Sequence, residues 1–414
     1  MSQPILAAAL PAPTTPAPMT SARERQILIV LMLMGFTNVV DFMIMMPLAP
    51  QLTRAFGITT AQFGLLVSAY AFAACASSLL MASIADRFDR KSVLLASYAG
   101  LIVGTLGCAV APSFSLLLIA RTVAGAFAGV QGATAMSIVG DLVPNERRGQ
   151  AMGLVMLSFS FAAVIGVPLS VYVAANWGWH VPFWALSVVC ALLYVVAQTL
   201  VPSMREHIKS GASTNLIDGY LELLRVPNHW WAFLMTAFVM LSGMMVIPYI
   251  APTRVANEGL TEAQISYFYL VGGAVTIFTR PYFGRLTDKY FRANVFYWLV
   301  LLSIIPIMLV THTLGLGLGS QILFSALFFI FVSGRFIPLS AMNAAASAPQ
   351  LRGRMMSFNS AVQNLFTGLA ALIGGAMLTT NANGTVSGYE AVGYLSCLFA
   401  LLSIACAYKV RMVS

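Results

Sequence analysis

The sequence contains few charged residues. Of its 414 residues, 8% are charged and 59% are hydrophobic. A soluble domain carries roughly 25% charged residues, so a soluble fold of this length lacks the polar side chains to cover its surface. Apolar runs of about 18 or more residues recur along the whole length, and such runs are typical of membrane-spanning segments. The composition therefore predicts a membrane protein that crosses the bilayer many times.

The sequence also lacks the residue clusters that carry redox, metal or nucleotide chemistry. Its five cysteines lie within apolar runs, with no CxxC pair and no Cys/His cluster, so we expect no disulfide framework and no metal site. A phosphate-binding loop of the form GxxxxGK[ST] is missing, which argues against transport driven by ATP. Without a nucleophile–base set either, we expect neither a cofactor nor enzymatic activity.

The apolar runs predict 12 transmembrane helices, each long enough to cross a hydrocarbon core of about 30 Å at about 1.5 Å per residue. The predicted spans cover residues 27–49, 62–84, 92–111, 113–140, 150–173, 179–201, 230–251, 263–284, 294–312, 318–341, 356–379 and 388–409. With the N-terminus inside, 17 of the 22 lysines and arginines fall on the inner side. We therefore expect a multi-pass protein of the inner (plasma) membrane with both termini cytoplasmic. The net charge of +9 follows from this topology, so nucleic acid is not an expected partner.

The two halves of the sequence resemble each other at an offset of about 202 residues. Residues Ile58–Gln62 match Leu260–Gln264, and Ala82–Lys91 match Gly284–Arg292. Internal repeats of this kind are typical of transporters in which one half moves against the other. We predict an all-α membrane protein with a disordered cytoplasmic tail at 1–25, an N-terminal six-helix bundle at 26–201, a cytoplasmic linker at 202–229 and a C-terminal six-helix bundle at 230–414.

The loop between the second and third spans resembles the G-x-L-A-D-R-x-G-R-K motif of the major facilitator superfamily. Here it reads Ala82-x-Ile84-Ala85-Asp86-Arg87-x-Asp89-Arg90-Lys91, with both family glycines replaced. A second motif, an arginine in span four followed by spaced glycines, fits Arg121, Gly125, Gly129 and Gly132. Over about residues 24–412 the chain is similar to the 12-helix drug:proton antiporter and sugar-efflux branch. The antiporter motif of span five departs from the family pattern, because Val167 separates Gly166 from Pro168, and this leaves the direction of transport open.

The resemblance implies the major facilitator fold, alternating access and a monomer. It also implies a cytoplasmic gate, in which Asp86, Arg90 and Asp141 cluster and hold the inner side shut. The neighbouring Arg87 belongs to the same charged loop, although the positive-inside pattern alone also explains arginines there. Asp288 and Arg292 occupy the corresponding loop of the second half, where the match predicts a weaker gate.

Asp41 is the single acidic residue, of 13, that lies deep inside a predicted span. A carboxylate at a helix centre costs about 2.5–3.5 kcal/mol on the insertion scale, so a neutral residue would be less costly there. Arg121 in span four lies at nearly the same depth. We hypothesise that Asp41 alternates between a protonated state and an ionised state held by Arg121, which exchanges protons for substrate. The alternative is a static pair that only ties span one to span four.

Several polar or adaptable side chains within the spans are candidates for a substrate cavity, because polar groups at membrane depth must face protein or a water-filled cavity. They are Asn38, Met45, Gln131, Arg335, Asn359, Gln363 and Asn364. The cation Arg335 is expected to attract an anionic substrate group or a carbonyl oxygen. For each of the others, hydrogen bonding or packing between helices remains an equally good explanation.

These features predict a secondary active transporter that exports a small organic molecule, such as a drug, in exchange for protons. Its expected partners are the substrate, protons and the lipid bilayer. A uniporter, or a proton symporter that imports a small metabolite, is the main alternative. A receptor built on a transporter fold is a further alternative, which the titratable Asp41 disfavours. The sequence leaves drug, sugar, amino-acid metabolite and siderophore open as substrates.

Overall fold

The computed structural model describes residues 21–84, 87–205, 222–312, 315–348 and 351–413. Within these residues, the structure has sixteen α-helices. They are α1 Ser21–Met43, α2 Ala49–Phe56, α3 Thr60–Ile84, α4 Arg90–Val110, α5 Phe114–Leu142, α6 Asn145–Phe161, α7 Val167–Trp177, α8 His180–Leu200, α9 Pro227–Met244, α10 Ile250–Glu258, α11 Glu262–Lys289, α12 Arg292–Thr311, α13 Leu318–Gly334, α14 Phe336–Ala345, α15 Arg352–Ala376 and α16 Tyr389–Lys409.

Each of the 12 predicted spans coincides with one of these helices or with a pair of them, which confirms the all-α membrane fold. Within the described residues, ten spans are both long enough and apolar enough to cross a membrane. The other two are α11 and α15, which have 28 and 25 residues and a more polar sequence. At about 1.5 Å per residue both are long enough to cross the bilayer. The predicted tail and linker fall largely outside the described residues, so the domain boundaries stay a prediction.

Span one is interrupted between α1 and α2, and three further spans are broken where proline removes a backbone hydrogen bond. In span five, Pro168 follows a π-helical turn, Ala162–Gly166, that joins α6 to α7. In span seven, Pro248 lies in the 3₁₀ turn between α9 and α10. In span ten, α13 and α14 meet at Arg335, three residues before Pro338. Irregular backbone at membrane depth is tolerated where protein or a cavity surrounds it, so these breaks mark inward-facing parts of the helices.

The matching segments of the two halves form the same local structure. Thr59 Oγ1 accepts a hydrogen bond of 3.2 Å from the N–H of Gln62, whose Oε1 accepts one of 2.9 Å from the N–H of Thr59. Thr261 and Gln264 repeat this reciprocal cap at the start of α11, with distances of 3.3 and 2.9 Å. A Thr-x-x-Gln cap satisfies two backbone donors that a helix start otherwise leaves free. The sequence repeat at this point is therefore a repeat of helix starts.

We call the end of the molecule that carries α2 and α10 the outer end, following the predicted orientation. There the two halves share one hydrophobic core cluster, to which Phe63 and Leu66 contribute from the first half and Tyr249 and Ala371 from the second. Two further clusters are confined to the first half and to the second half. The shared cluster shows that the halves are packed together at the outer end.

Helices α3 and α15 bring the two halves into close contact at the outer end. A Cβ atom built on Gly64 would lie 2.8 Å from the carbonyl oxygen of Ala371, and Ser68 Oγ donates a 2.9 Å hydrogen bond to the carbonyl of Gly368. Small residues permit this approach, as they do between helices in lipid. In contrast, a Cβ atom on Gly132, nearer the inner end of α5, would meet nothing within 4 Å. The structure is therefore closed at its outer end.

Within the described residues, the loop after α15 forms a short β-hairpin between the helices. Strand β1 (Thr379–Thr380) pairs antiparallel with strand β2 (Val386–Ser387). Asn257 of α10 holds the hairpin, since its amide donates to the carbonyl of Val386 and accepts from the N–H of Val386, each at 2.7 Å. The loop is thereby fixed against the outer end of the second half.

Substitution of Gly64 by alanine should destabilise the closed arrangement by about 1–3 kcal/mol, because the added methyl group overlaps the Ala371 backbone. Substitution of Gly132 by alanine is the matched control, since its methyl group enters open space. Thermal unfolding of the purified protein in nanodiscs measures the difference. Equal melting temperatures for the two variants would contradict the close contact between α3 and α15.

Candidate functional site

Asp41 and Arg121 form an ion pair inside the N-terminal half. Arg121 Nη1 lies 3.2 Å from Asp41 Oδ2, and the hydroxyl of Thr105 donates a 3.0 Å hydrogen bond to Asp41 Oδ1. Both charged residues are 0% exposed. The pair joins α1, α4 and α5, so the contact expected from the matching depth of the two residues is present. Whether the pair couples protons to transport stays a prediction.

The end of α1 explains a second contact of Arg121. Helix α1 stops at Met43, so the carbonyl of Asp41 is among the last four carbonyls, which have no partner within the helix. Arg121 Nη1 donates a 3.0 Å hydrogen bond to that carbonyl oxygen. Its Nε and Nη2 are buried and donate no hydrogen bond. The guanidinium is therefore held by the acidic residue and by the broken helix, but is only partly satisfied.

A chain of polar contacts links this pair to two of the candidate cavity residues. The guanidinium carbon of Arg121 lies 4.3 Å from the ring centroid of Tyr70, close enough for a cation–π interaction. The hydroxyl of Tyr70 donates a 3.2 Å hydrogen bond to Asn38 Oδ1, and Asn38 Nδ2 donates to Gln131 Oε1. Gln131 Nε2 is buried and donates no hydrogen bond. The structure thus connects Asp41, Arg121, Asn38 and Gln131 within one network.

Arg335 is enclosed in the C-terminal half. Its guanidinium donates to the hydroxyls of Ser242 and Ser303, at 3.2 and 3.4 Å, and to the carbonyl of Val239 at 3.3 Å. The side chain is 0% exposed, and the ion pairs of the described residues do not include it. Arg335 therefore has neutral partners in this conformation, and its predicted contact with substrate requires the helices around it to move.

The remaining candidate cavity residues divide into enclosed and half-buried groups. Met45 is 0% exposed within the shared hydrophobic cluster, and Asn359 is 1% exposed. Asn359 Oδ1 lies 2.8 Å from the hydroxyl of Thr236, which also accepts a 2.8 Å hydrogen bond from Asn343. These contacts tie α9, α14 and α15 together. Gln363 and Asn364, further along α15, are half-buried.

At the inner end, Arg90 and Asp141 are in contact within the first half, and their role in a gate stays a prediction. Arg90 Nε lies 3.3 Å from Asp141 Oδ2. The third member of the predicted gate, Asp86, lies outside the described residues. Arg87 is exposed, as a positive-inside anchor would be. In the second half, Asp288 is exposed and does not form an ion pair with Arg292 in this conformation.

Asp89, which replaces a family glycine, has a structural role that the sequence did not reveal. Its carboxylate caps the start of α4 through the N–H of Lys91, and it accepts 2.7 Å hydrogen bonds from the Ser203 hydroxyl and the Met204 N–H. Burial alone would raise the pKa of Asp89, but these hydrogen bonds and the charge of Arg205, 3.9 Å away, hold its pKa below the usual range. Asp89 thus ties the inner end of α4 to the chain after α8.

A second unexpected contact joins the two halves at the outer end. Glu262, the first residue of α11, accepts hydrogen bonds from Arg54 and Gln51 of α2. The matching residue of the first half is Thr60, whose hydroxyl donates a 3.2 Å hydrogen bond to the carbonyl of Leu378. Each half therefore contacts the other through the same position of its repeated helix start. The sequence repeat identifies Thr60 and Glu262 as equivalent positions. Their partners come from the opposite half and are brought to them by the packing of the two halves.

The fold defines a multi-pass membrane protein that encloses a polar network. Residues 31–334 match the family model of the Major Facilitator Superfamily, and the chain belongs to that family. It is 26% identical over 362 residues to an uncharacterised MFS-type transporter, YceJ, of Bacillus subtilis (strain 168), which covers 86% of this chain and 90% of the relative. It is 27% identical over 244 residues to a chloramphenicol resistance protein of Streptomyces lividans, which covers 58% of this chain and 62% of that protein.

Two solved structures illustrate the shared fold. A bacterial homologue of the human lysosomal transporter Spinster, inward-facing and unoccupied, superimposes with a TM-score of 0.77 at 18% identity and covers 95% of this chain and 98% of its own. A D-xylose–proton symporter gives a TM-score of 0.77 at 15% identity and covers 92% and 97%. At these identities the likeness establishes the fold alone.

The Asp89→Asn substitution should lower the free energy of unfolding at neutral pH by about 1–2 kcal/mol, because the amide loses the charge-assisted hydrogen bonds from Ser203 and Met204 and the attraction of Arg205. Since folding depresses the pKa of Asp89, its stabilisation is present above the unfolded-state value of about 3.9 and is lost as the pH falls through the folded-state pKa. Unfolding measured at neutral and acidic pH should therefore show a difference that shrinks with acidification. Asp288→Asn, at an exposed position of the second half, is the control, and a pH-independent deficit in Asp89→Asn would contradict this account.

Proposed function

We propose that this transporter exports a small organic molecule in exchange for protons, by alternating access between the two sides of the inner membrane. The observation that carries the proposal is the enclosed contact between Asp41 and Arg121, with Thr105 as a third partner. In this position the carboxyl group of Asp41 either carries a proton or is ionised and contacts the guanidinium of Arg121. Conversion between these two states takes up or releases one proton.

The contacts of Arg121 favour a working pair over a static tie. A buried ion pair is rarely the most stable way to join helices, since well-packed neutral residues often do as well or better. Two nitrogens of Arg121 are buried without acceptors, and each such group costs about 1–3 kcal/mol. A purely structural contact gains nothing from this cost. If Asp41 and Arg121 separate each time Asp41 takes up a proton, the guanidinium of Arg121 must be able to exchange its contacts for others.

The described conformation fits one state of an alternating-access cycle. The outer ends are packed together through the shared hydrophobic cluster, and Asp41 is sealed from solvent below them. Outward opening would separate α3 from α15 and give external protons access to the carboxyl group. Hydrogen bonds then link Tyr70, beside Arg121, to Asn38 and Gln131. Protonation of Asp41 can act through this chain on Gln131, whose Nε2 has no partner and is available to substrate.

The relatives support transport of small organic molecules and leave its direction to experiment. Similarity to a chloramphenicol resistance protein favours export. Likeness to a D-xylose–proton symporter keeps proton-coupled import as the second candidate, because the same fold carries that activity. Export by antiport requires substrate binding to release protons, whereas symport requires substrate and protons to bind together.

The Asp41→Asn variant should bind substrate but no longer release protons when it does so, because the amide cannot titrate. Proton release is measured in weakly buffered solution on purified protein mixed with neutral, cationic and anionic compounds, including chloramphenicol. Glu390→Gln is the matched carboxyl-to-amide control, at an exposed position in the first turn of α16.

Wild-type protein and the Glu390→Gln control should release protons on binding at least one compound, with no release by Asp41→Asn. Proton uptake by wild-type protein would favour symport. Release that persists in Asp41→Asn would remove Asp41 from the coupling step, and binding without any proton movement would favour a uniporter or a receptor.

The contact of Glu262 with Arg54 and Gln51 should act as an outer latch that favours the closed state. Charge reversal at Arg54 or Glu262 alone should raise the outward-open population about two- to fivefold, the effect of losing about 0.5–1 kcal/mol from a partly exposed pair. The double exchange, Arg54→Glu with Glu262→Arg, should restore the original population because the ion pair is re-formed.

Spin labels at the exposed positions Ala55 and Asn381 report the distance between the halves in a variant without native cysteines. Glu24→Gln is the control, since it breaks an ion pair with Arg147 that lies within the first half. Failure of the double exchange to restore the closed distance would rule out the latch.

A further inference from the structure

Arg280 lies on the seam between the two halves, in the inner part of α11. Its Nη1 donates a 3.3 Å hydrogen bond to the hydroxyl of Ser160 in α6, and its guanidinium carbon lies 4.6 Å from the ring centroid of Phe159. Both contacts cross from the second half to the first. The side chain is half-buried, so unlike Arg121 and Arg335 it is not sealed within one bundle.

Arg280 has no anionic partner among the described residues. The arginines Arg90 and Arg121 reach Asp141 and Asp41, but the ion pairs of the described chain do not include Arg280. Its Nε is buried and donates no hydrogen bond. The guanidinium is thus a cation at membrane depth. Its partners are one hydroxyl acceptor and one aromatic ring, and its buried Nε–H donor is unused.

This arrangement leaves a guanidinium donor whose hydrogen bond an anion can accept. A cation at the centre of a membrane helix costs about 2.5–3.5 kcal/mol on the insertion scale, and the cost is smaller for Arg280, which lies four residues before the predicted inner end of its span. One hydrogen bond to serine and one cation–π contact offset part of that cost, but a neutral side chain could tie α6 to α11 without incurring it. A guanidinium is especially suited to carboxylate and phosphate groups, which accept two of its N–H donors at once.

We propose that Arg280 is a substrate-binding residue that receives the negatively charged group of a transported organic anion, with Phe159 against the adjoining apolar part of the molecule. The proposal rests on the proposed transport function and adds the substrate class to it. Because Arg280 and its two neighbours belong to different halves, a bound anion is held between the parts that move during transport. Binding at this seam would therefore favour the conformation in which α6 and α11 are close.

The test uses the purified full-length protein in nanodiscs of phosphatidylcholine, which carries no net charge and so supplies no anionic headgroup. The ligands are benzoate and phenylphosphonate, with benzamide as their uncharged counterpart, all at the same ionic strength. Thermal stabilisation as a function of ligand concentration gives the apparent affinity. The variants are Arg280→Gln and Arg280→Lys, and Arg285→Gln, an exposed position of the same helix, is the control.

We expect both anions to stabilise the wild-type protein and Arg285→Gln, with benzamide ineffective. Arg280→Gln should bind the anions about ten- to a hundredfold more weakly, and Arg280→Lys should fall between, since it keeps the charge but loses the paired donors. Equal stabilisation by benzamide, full anion binding by Arg280→Gln, or no stabilisation of the wild-type protein by either anion would each overturn the proposal. If Arg280→Gln does not fold, Arg280→Lys decides the outcome, since anion binding equal to that of the wild-type protein in this variant would overturn the paired contact with Arg280.

Anion binding and proton coupling can fail separately in these experiments. Asp41→Asn should keep its stabilisation by benzoate, because Asp41 lies in the interior of the first half and Arg280 on the seam. Loss of proton release with intact anion binding would therefore refute only the coupling mechanism. Proton release driven by uncharged compounds alone would refute only the anion site.

Discussion

The ion pair between Asp41 and Arg121 is the contact that organises the N-terminal half. Two full charges without solvent must stay together, because removal of either leaves an uncompensated charge at a cost of about 3–5 kcal/mol. The requirement holds α1, α4 and α5 at one depth, with Thr105 on the carboxylate and Tyr70 on the guanidinium. Helix α1 ends at Met43, which leaves the carbonyl oxygen of Asp41 free to accept a second hydrogen bond from Arg121. In the proposed mechanism, protonation of the Asp41 carboxyl group releases Arg121 from this contact.

The two halves share a backbone plan but differ in their charges. Both carry the Thr-x-x-Gln cap at the start of their second span, and both interrupt their first span before a short outer helix. The repeat places Gly243 opposite Asp41, and a Cβ atom on Gly243 would lie 3.2 Å from Arg335 Nη2. The second half therefore has a guanidinium beside the matching position and no carboxylate there. Such an inequality fits a transporter in which the first half handles the proton and the second half contributes more to substrate binding.

The sequence predicted what depends on composition and local pattern. Runs of apolar residues located the 12 spans, and the rarity of buried charge drew attention to Asp41 and Arg121. The outer latch was not predictable, because Arg54 and Glu262 are 208 residues apart and meet only when the halves pack. The cap that Asp89 places on α4 is local, since Lys91 is two residues away, but the hydrogen bond from Met204, 115 residues away, was not predictable. The arginine at position 280 was visible as a charge within a span, but its lack of an anion emerged only once its neighbours were known. Asp288 and Arg292, matched to the first gate by sequence, are not brought together in the described conformation.

Infrared difference spectroscopy of the protonated carboxyl group tests the central claim most directly. Purified protein in nanodiscs is taken from alkaline to acidic pH, and the spectrum of Asp41→Asn is subtracted from that of the wild-type protein. We predict a carboxylic C=O band that belongs to Asp41, is reversible with pH and shifts when substrate binds. A spectrum in which Asp41 stays ionised throughout, with or without substrate, would show that the pair is a fixed structural tie and would contradict the account.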